Sequence, residues 1–291
     1  MGDLFRSDGV PGGHEIGNQR LTPEGGASRA RGTGTEPRHL VITGASSGIG
    51  AALAGVYARP GLTLSLLGRN EERLQAVADA CRERGSDVAI GMADVTDAGA
   101  LHDWLTARDD ALPVDIVIAN AGIGGIDAVS GPGRHNHEAG RAMVSVNTIG
   151  VLNTVDPLLP RFLDRGHGRI GMISSMAGFI GLPDSPAYCA SKAAVTMYGE
   201  ALRRQVAPHG VGVTIVCPGF VDTPMSRSLP MARRFVWTAD ATARRIKRGL
   251  DRGERMVRFP GAFSWGLRLA ALLPASLVDR VLIRTRIGDR A

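Results

Sequence analysis

From Arg38 to Phe259 the chain alternates short apolar runs with segments of helical length. The predicted strands are His39–Thr43, Thr63–Leu67, Asp87–Met92, Asp115–Ala119, Arg169–Ser174, Val211–Cys217 and Met256–Phe259. The predicted helices are Ile49–Arg59, Glu71–Arg84, Ala98–Arg108, Glu138–Arg165, Ala187–Ala207 and Ala239–Arg252. Strand–helix alternation predicts crossover units, and so a mostly parallel sheet covered on both faces. Runs such as Leu40-Val41-Ile42 show no polar alternation, as expected of strands buried on both sides. The fold class read from this pattern is α/β, a doubly wound sheet with helices on both faces. Residues 38–260 form its domain. Residues 1–37, rich in Gly, Pro, Ser, Thr and charge, read as a flexible extension, and 261–291 as a basic amphipathic C-terminal extension.

The first strand runs directly into Thr43-Gly44-Ala45-Ser46-Ser47-Gly48-Ile49-Gly50 and then a helix. In that context Gly44 turns the chain, Gly48 admits a pyrophosphate close to the backbone, and Gly50 packs the helix against the strand. Free N–H groups at the helix start, with the Ser46 and Ser47 hydroxyls, then face an anion. The second strand ends in Leu67-Gly68-Arg69-Asn70, with no acid before Glu71. A carboxylate at that point would bind the adenosine ribose hydroxyls, whereas the Arg69 guanidinium suits the 2′-phosphate of NADP. Asp94-Val95 and Asn120-Ala121-Gly122 close the third and fourth strands, at the strand ends where open α/β sheets bind ligands.

Tyr188-Cys189-Ala190-Ser191-Lys192 sets a phenol and an ammonium four residues apart, on one face of a helix. A nearby cation favours the phenolate, so the pair is expected to act as a general acid–base with a lowered tyrosine pKa. Ser175, just past the fifth strand, offers a hydroxyl to a substrate oxygen. Asn147, in the apolar helix 138–165, needs partners for its amide; a water linked to Lys192 is one expectation.

In order and spacing, TGASSGIG, NAG, VN, ISS, YCASK and PGFVDT resemble the short-chain dehydrogenase/reductase family over about residues 38–259. The resemblance implies a Rossmann-type sheet of about seven parallel strands and a tetrad of Asn147, Ser175, Tyr188 and Lys192. It implies that Lys192 also holds the nicotinamide ribose, with Pro218, Gly219, Val221 and Thr223 framing the nicotinamide. Ser175 is preferred over Ser174, because the family's active serine lies thirteen residues before the tyrosine. The implied activity is NADP(H)-dependent hydride transfer between nicotinamide and a carbonyl or secondary alcohol, in a homodimer or homotetramer. Met225, Leu229, Met231, Phe235 and Trp237, in the stretch corresponding to the family's lid, suggest an apolar substrate.

Charge changes the picture only at the C-terminal end. Residues 226–291 carry 15 Lys+Arg against 5 Asp+Glu, while the rest carries 19 against 23. This basic stretch lacks base-stacking aromatics or a reader motif, so no nucleic acid is expected. Phe263, Trp265, Leu267, Leu269, Leu272 and Leu273 leave two readings open: a cover over the cleft or a subunit contact, and a peripheral contact with a membrane surface. No secretory signal and no membrane-spanning helix are predicted. Cys81, Cys189 and Cys217 form no metal or disulfide pattern, and the histidines form no ligand set. A cytoplasmic enzyme without a metal is the expectation. The alternative is a dinucleotide-binding regulator or membrane-peripheral protein with weak turnover, against which the complete tetrad argues.

Overall fold

A computed structural model describes residues 36–124, 136–227, 236–261, 274 and 276–279. Its elements in chain order are β1 (His39–Thr43), α1 (Gly48–Tyr57), β2 (Thr63–Gly68), α2 (Glu71–Arg82), β3 (Asp87–Met92), α3 (Ala98–Ala111) and β4 (Ile116–Ala119). Then come α4 (His137–Val144), α5 (Gly150–Val155), α6 (Leu159–Arg165), β5 (Gly168–Ile173) and α7 (Pro186–Val206). The last are β6 (Val211–Pro218), β7 (Val221–Asp222), β8 (Trp237–Thr238), α8 (Ala239–Asp251) and β9 (Met256–Phe259).

Seven strands form one parallel sheet in the order β3-β2-β1-β4-β5-β6-β9. This is the Rossmann-type doubly wound sheet. The order reverses between β1 and β4, and that switch point opens the crevice at the strand C-termini. Both faces of β1 are dry. Leu40 and Ile42 join a core with Leu53, Leu74, Ile246 and Leu250, while Val41 joins one with Leu105, Val155, Phe162 and Val195. Such two-sided burial is why the strands read as continuous apolar runs. The β7–β8 pair, two residues from each strand, is too short to have left a pattern in the sequence.

The predicted helix 138–165 is three helices. A widened π-type turn, Ser145–Ile149, separates α4 from α5, and the chain breaks again before α6. Pro157 has no N–H for the carbonyl four residues back, which accounts for the second break. Arg161 and Arg165 on α6 anchor the last piece to the buried carboxylate of Asp109, at 3.1 and 2.7 Å. By length and composition alone, His137–Arg165 reaches the hydropathy of a membrane span. In the fold the run is interrupted, and it packs against α3 and α7. The predicted extension 1–37 lies outside the described residues except for Glu36 and Pro37. So do the aromatic and leucine positions predicted between 263 and 273.

His39 opens β1 at the sheet end opposite the crevice and is buried. Its Nδ1 is 2.6 Å from the Leu112 carbonyl and its Nε2 is 2.8 Å from Ser65 Oγ. The carbonyl needs a donor, so Nδ1 carries the proton and Nε2 accepts from the hydroxyl: the ring is neutral. Burial lowers its pKa; the Leu112 carbonyl, Asp115 and Asp109 pull the other way without reversing the shift. A depressed folded pKa means that the unfolded chain binds the proton more readily. The stability from His39 is therefore complete above the unfolded value of about 6.5 and is lost as pH falls through and below it. The expected result is a lower urea midpoint near pH 5.5 than near pH 7.5, with a smaller pH difference in His39→Asn. An identical pH difference in the two proteins would rule His39 out as its source.

Candidate active site

The glycine turn is built as its sequence requires. Gly44 sits at φ +66°, and a Cβ there would fall 2.7 Å from Ala121 Cα. A Cβ at Gly50 would overlap the Gly44 carbonyl oxygen and fall 2.5 Å from Asn120 Nδ2. The start of α1 is thus packed directly on the turn. Ser47 at its N-cap makes no capping hydrogen bond, and the first turn holds no acid. Ser46, Ser47, Gly48 and Ile49 instead line a cleft of about 840 Å³. An uncapped helix N-terminus behind a wall of glycines fits a pyrophosphate.

Asn120, expected at the cofactor, turns its side chain the other way. Nδ2 donates to the carbonyls of Thr43 and Gly44 at 2.9 and 3.1 Å, and Thr43 Oγ1 accepts from the N–H groups of Asn120 and Ala121. The amide braces the turn, while Asn120, Ala121 and Gly122 still line the cleft.

At the far end of the cleft lie Gly68, Arg69, Asn70, Arg73, Asp94 and Val95. Arg69 Nη1 is 3.1 Å from Asp94 Oδ2, with the arginine side chain 64% exposed. Asp94 also accepts from Thr96 N and Oγ1; the Thr96 backbone bond is the main reason its carboxyl stays below the usual range. Asn70 caps α2 by accepting from Arg73 N. Arg73 is a second guanidinium on this wall that sequence reasoning missed. The available signal was its place in the first turn of α2, directly after the strand end that carries Arg69.

The tetrad residues come from three places in the chain: the π-type turn, the end of β5 and α7. Asn147 is fully buried on the π-type turn. Its Oδ1 accepts from Ile123 N at 2.8 Å, and its Nδ2 donates to the Ile123 carbonyl at 2.9 Å and to Ser191 Oγ at 3.1 Å. Those protein partners satisfy the amide, where a bound water was the expected one. The two candidate serines are separated clearly. Ser174 is buried, bonded to the Lys192 carbonyl and Thr196 Oγ1 at 2.8 Å each. Ser175 lines the cleft; its Oγ accepts from Ala177 N at 3.1 Å, and its hydroxyl is a hydrogen-bond partner of Tyr188.

Tyr188 and Lys192 stand one turn apart on α7, and both line the cleft. The expected lowering of the phenol pKa by Lys192 is not what the structure gives. Burial raises Tyr188, and the Ser175 hydroxyl opposes that only in part. The ammonium turns toward the sheet: Nζ donates to the Ile173 carbonyl at 2.9 Å and lies 5.9 Å from the tyrosine ring centroid. Burial brings Lys192 down to about 8. Loss of water around both groups outweighs their attraction, and each is pushed toward its neutral form.

Pro218, the last residue of β6, and Gly219, Val221 and Thr223 after it line the cleft's other wall. Thr223 Cγ2 is 3.2 Å from where a Cβ at Gly48 would stand, so this loop closes onto the glycine turn. Phe220 and Met225 remain 39% and 41% exposed. Leu229, Met231 and Phe235 lie outside the described residues. Among the described residues no cluster of His, Cys, Asp or Glu has the geometry of a metal site, and all three cysteines are free and buried.

An open parallel sheet with an anion cradle at its switch point, beside a serine, a tyrosine and a lysine, defines a Rossmann-type oxidoreductase. The model of the short chain dehydrogenase family matches residues 38–234, and the chain belongs to that family. A protein of Myxococcus xanthus named only as an uncharacterized oxidoreductase is 34% identical over 250 residues, 86% of this chain and 98% of its own. A short-chain dehydrogenase from Sphingobium yanoikuyae, solved in complex with NADPH, has 30% identity and a TM-score of 0.70, over 80% of this chain and 93% of that one. A bulky-bulky ketone specific alcohol dehydrogenase from Comamonas testosteroni has 28% identity and a TM-score of 0.68, over 87% and 96%.

Proposed function

We propose that this oxidoreductase is NADP(H)-dependent and interconverts a carbonyl and a secondary alcohol on an apolar substrate. The observation that carries this reading is one continuous cleft running from the glycine turn to Ser175, Tyr188 and Lys192. The residues fit a nicotinamide dinucleotide: the uncapped start of α1 takes the pyrophosphate, and Asp94 and Val95 take the adenine. Pro218, Gly219, Val221 and Thr223 frame the nicotinamide end. When bound, the cofactor supplies or accepts the hydride.

The protein's own part is proton transfer and orientation. Tyr188 keeps its proton because burial disfavours the phenolate, and so it can give that proton to a substrate oxygen during reduction. Ser175 donates a hydrogen bond to the same oxygen as charge grows there. Lys192 spends one donor on Ile173 and has two left for the ribose hydroxyls and the tyrosine side of the cleft. Asn147 fixes the backbone of Ile123 against α7, which keeps the wall opposite Tyr188 in place. NADPH oxidation across a panel of ketones tests the reading; no turnover on any of them would count against it.

Arg69 and Arg73 support the preference for NADP(H); among the described residues the one carboxylate lining that end of the cleft, Asp94, is already paired to Arg69. Arg69→Asp is expected to weaken NADPH binding by about tenfold or more, roughly the worth of a charge-assisted hydrogen bond, and to favour NADH. Fluorescence titrations with both cofactors measure it. Tighter NADH than NADPH binding by the unaltered protein would reverse the assignment.

Val144, Ile149 and Met197 are 41%, 45% and 65% exposed on the connected surface of α4, the π-type turn and α7. We propose that a second copy covers them, in a homodimer or homotetramer. Sedimentation at micromolar concentration is expected to show at least a dimer, and a monomer alone would contradict this. The buried free cysteines fit a reducing, cytoplasmic compartment.

A further inference from the structure

Gly124 lies two residues past the Asn120-Ala121-Gly122 turn, on the cleft wall facing Tyr188. Its φ is not positive, so the backbone does not demand glycine there. The space does. A Cβ at this position would stand 3.1 Å from Met225 Sδ, and 3.2 and 3.4 Å from Tyr188 Cε2 and Cδ2. Those contacts are tighter than ordinary packing allows, so a neighbour would have to move. The tyrosine is held on α7 and by its place in the site. Met225 is exposed, unbranched and free to rotate, so the sulfur gives way. Met225 and Phe220 are large apolar side chains left open beside the site, with Ile180 and Leu182 on the same cleft. Such a rim gains most from a ligand with apolar bulk of its own.

We propose that Gly124 and Met225 form a size gate beside Tyr188 that admits a substrate with a bulky apolar group on its carbonyl or carbinol carbon. This rests on the carbonyl–alcohol reading given above. The missing side chain at 124 leaves the room into which Met225 swings when the larger arm enters. Any Cβ at 124 takes that room, and large substrates suffer more than small ones.

The test compares hexanophenone with 2-butanone. In Gly124→Ala the ratio of kcat/KM for the bulky ketone to that for the small one is expected to fall about tenfold or more, the scale on which pockets discriminate single carbon groups. Met225→Ala in that background is expected to restore most of the ratio, because the obstructing sulfur is gone. NADPH titration of each variant confirms an intact fold. Calorimetric binding of both ketones to the NADP⁺-loaded protein separates the gate from the reaction. Hexanophenone that binds and is weakened by Gly124→Ala, with no reduction of either ketone, supports the gate and overturns the carbonyl–alcohol reading. An unchanged ratio in an active Gly124→Ala variant overturns the gate alone. Equal loss on both ketones, unrelieved by Met225→Ala, also overturns it, as does a parent protein that neither binds nor reduces hexanophenone.

Discussion

Tyr188→Phe is expected to lose about 10²- to 10⁴-fold in kcat, the range that one positioned proton donor supplies, while NADPH still binds. The substitution removes a single oxygen and leaves the ring in place. Cys189 still accepts from Leu182 N at 3.3 Å, and Ser191 Oγ still donates to the carbonyl of residue 188 at 2.8 Å. The first turns of α7 therefore stay where they are, and Lys192 keeps its bond to Ile173. Ser175 remains free to polarise a substrate oxygen, so some turnover survives. The pH dependence separates chemistry from packing. In the parent protein, reduction should persist through neutral pH, because burial holds the phenol proton above the ordinary tyrosine range. It should decline in alkali as that proton is lost, beyond any step near 8 from Lys192, which parent and variant share. The residual activity of the variant should lack that alkaline decline. A kcat within a few-fold of the parent on a good substrate would remove Tyr188 from the proposed chemistry.

The sequence made the cofactor end more legible than the catalytic end, and the reason is locality. Gly44, Gly48 and Gly50 act within one turn between β1 and α1, so their spacing carries the geometry. Tyr188 and Lys192 share a helix face, and their common direction follows from being four residues apart. Asn147 depends on a π-type turn inside what looked like one long helix. The widened turn is stabilised by contacts with Ile123 and Ser191, 24 and 44 residues away. Apolar periodicity says nothing about such contacts. The phenol pKa failed for a related reason. Charge proximity is visible in a sequence, but the ammonium's preference for the Ile173 carbonyl and the dryness of the pocket appear only after folding. Asn120 was read as facing the ligand because strand C-termini usually do. Its amide instead closes Thr43 and Gly44 from behind, and so acts on the cofactor through the turn.

The same locality makes Gly50 the sharpest test of the cofactor end. Inside a helix, replacing glycine by alanine ordinarily stabilises by about 1 kcal/mol, through lower backbone entropy in the unfolded chain. Gly50 lies in α1 and is buried, and propensity alone predicts a gain for Gly50→Ala. Sterics predict the reverse. The new methyl would overlap the Gly44 carbonyl and crowd Asn120 Nδ2, which is backbone on one side and a twice-bonded amide on the other. Neither can rotate away without breaking the brace that sets the turn. Overpacking against fixed atoms costs about 1–3 kcal/mol, which exceeds the propensity gain. The start of α1 is then pushed off the turn, and its free N–H groups no longer converge where a pyrophosphate would sit. The expected outcome is a lower melting temperature and an NADPH dissociation constant raised by about tenfold or more, comparable to the loss of a charge-assisted hydrogen bond. Ala52, on the same helix and only partly buried, serves as the control, since Ala52→Gly should lower stability with little effect on NADPH. A Gly50→Ala protein that melts higher and binds NADPH as before would mean that helix propensity outweighs the close approach and that the turn tolerates a side chain at 50.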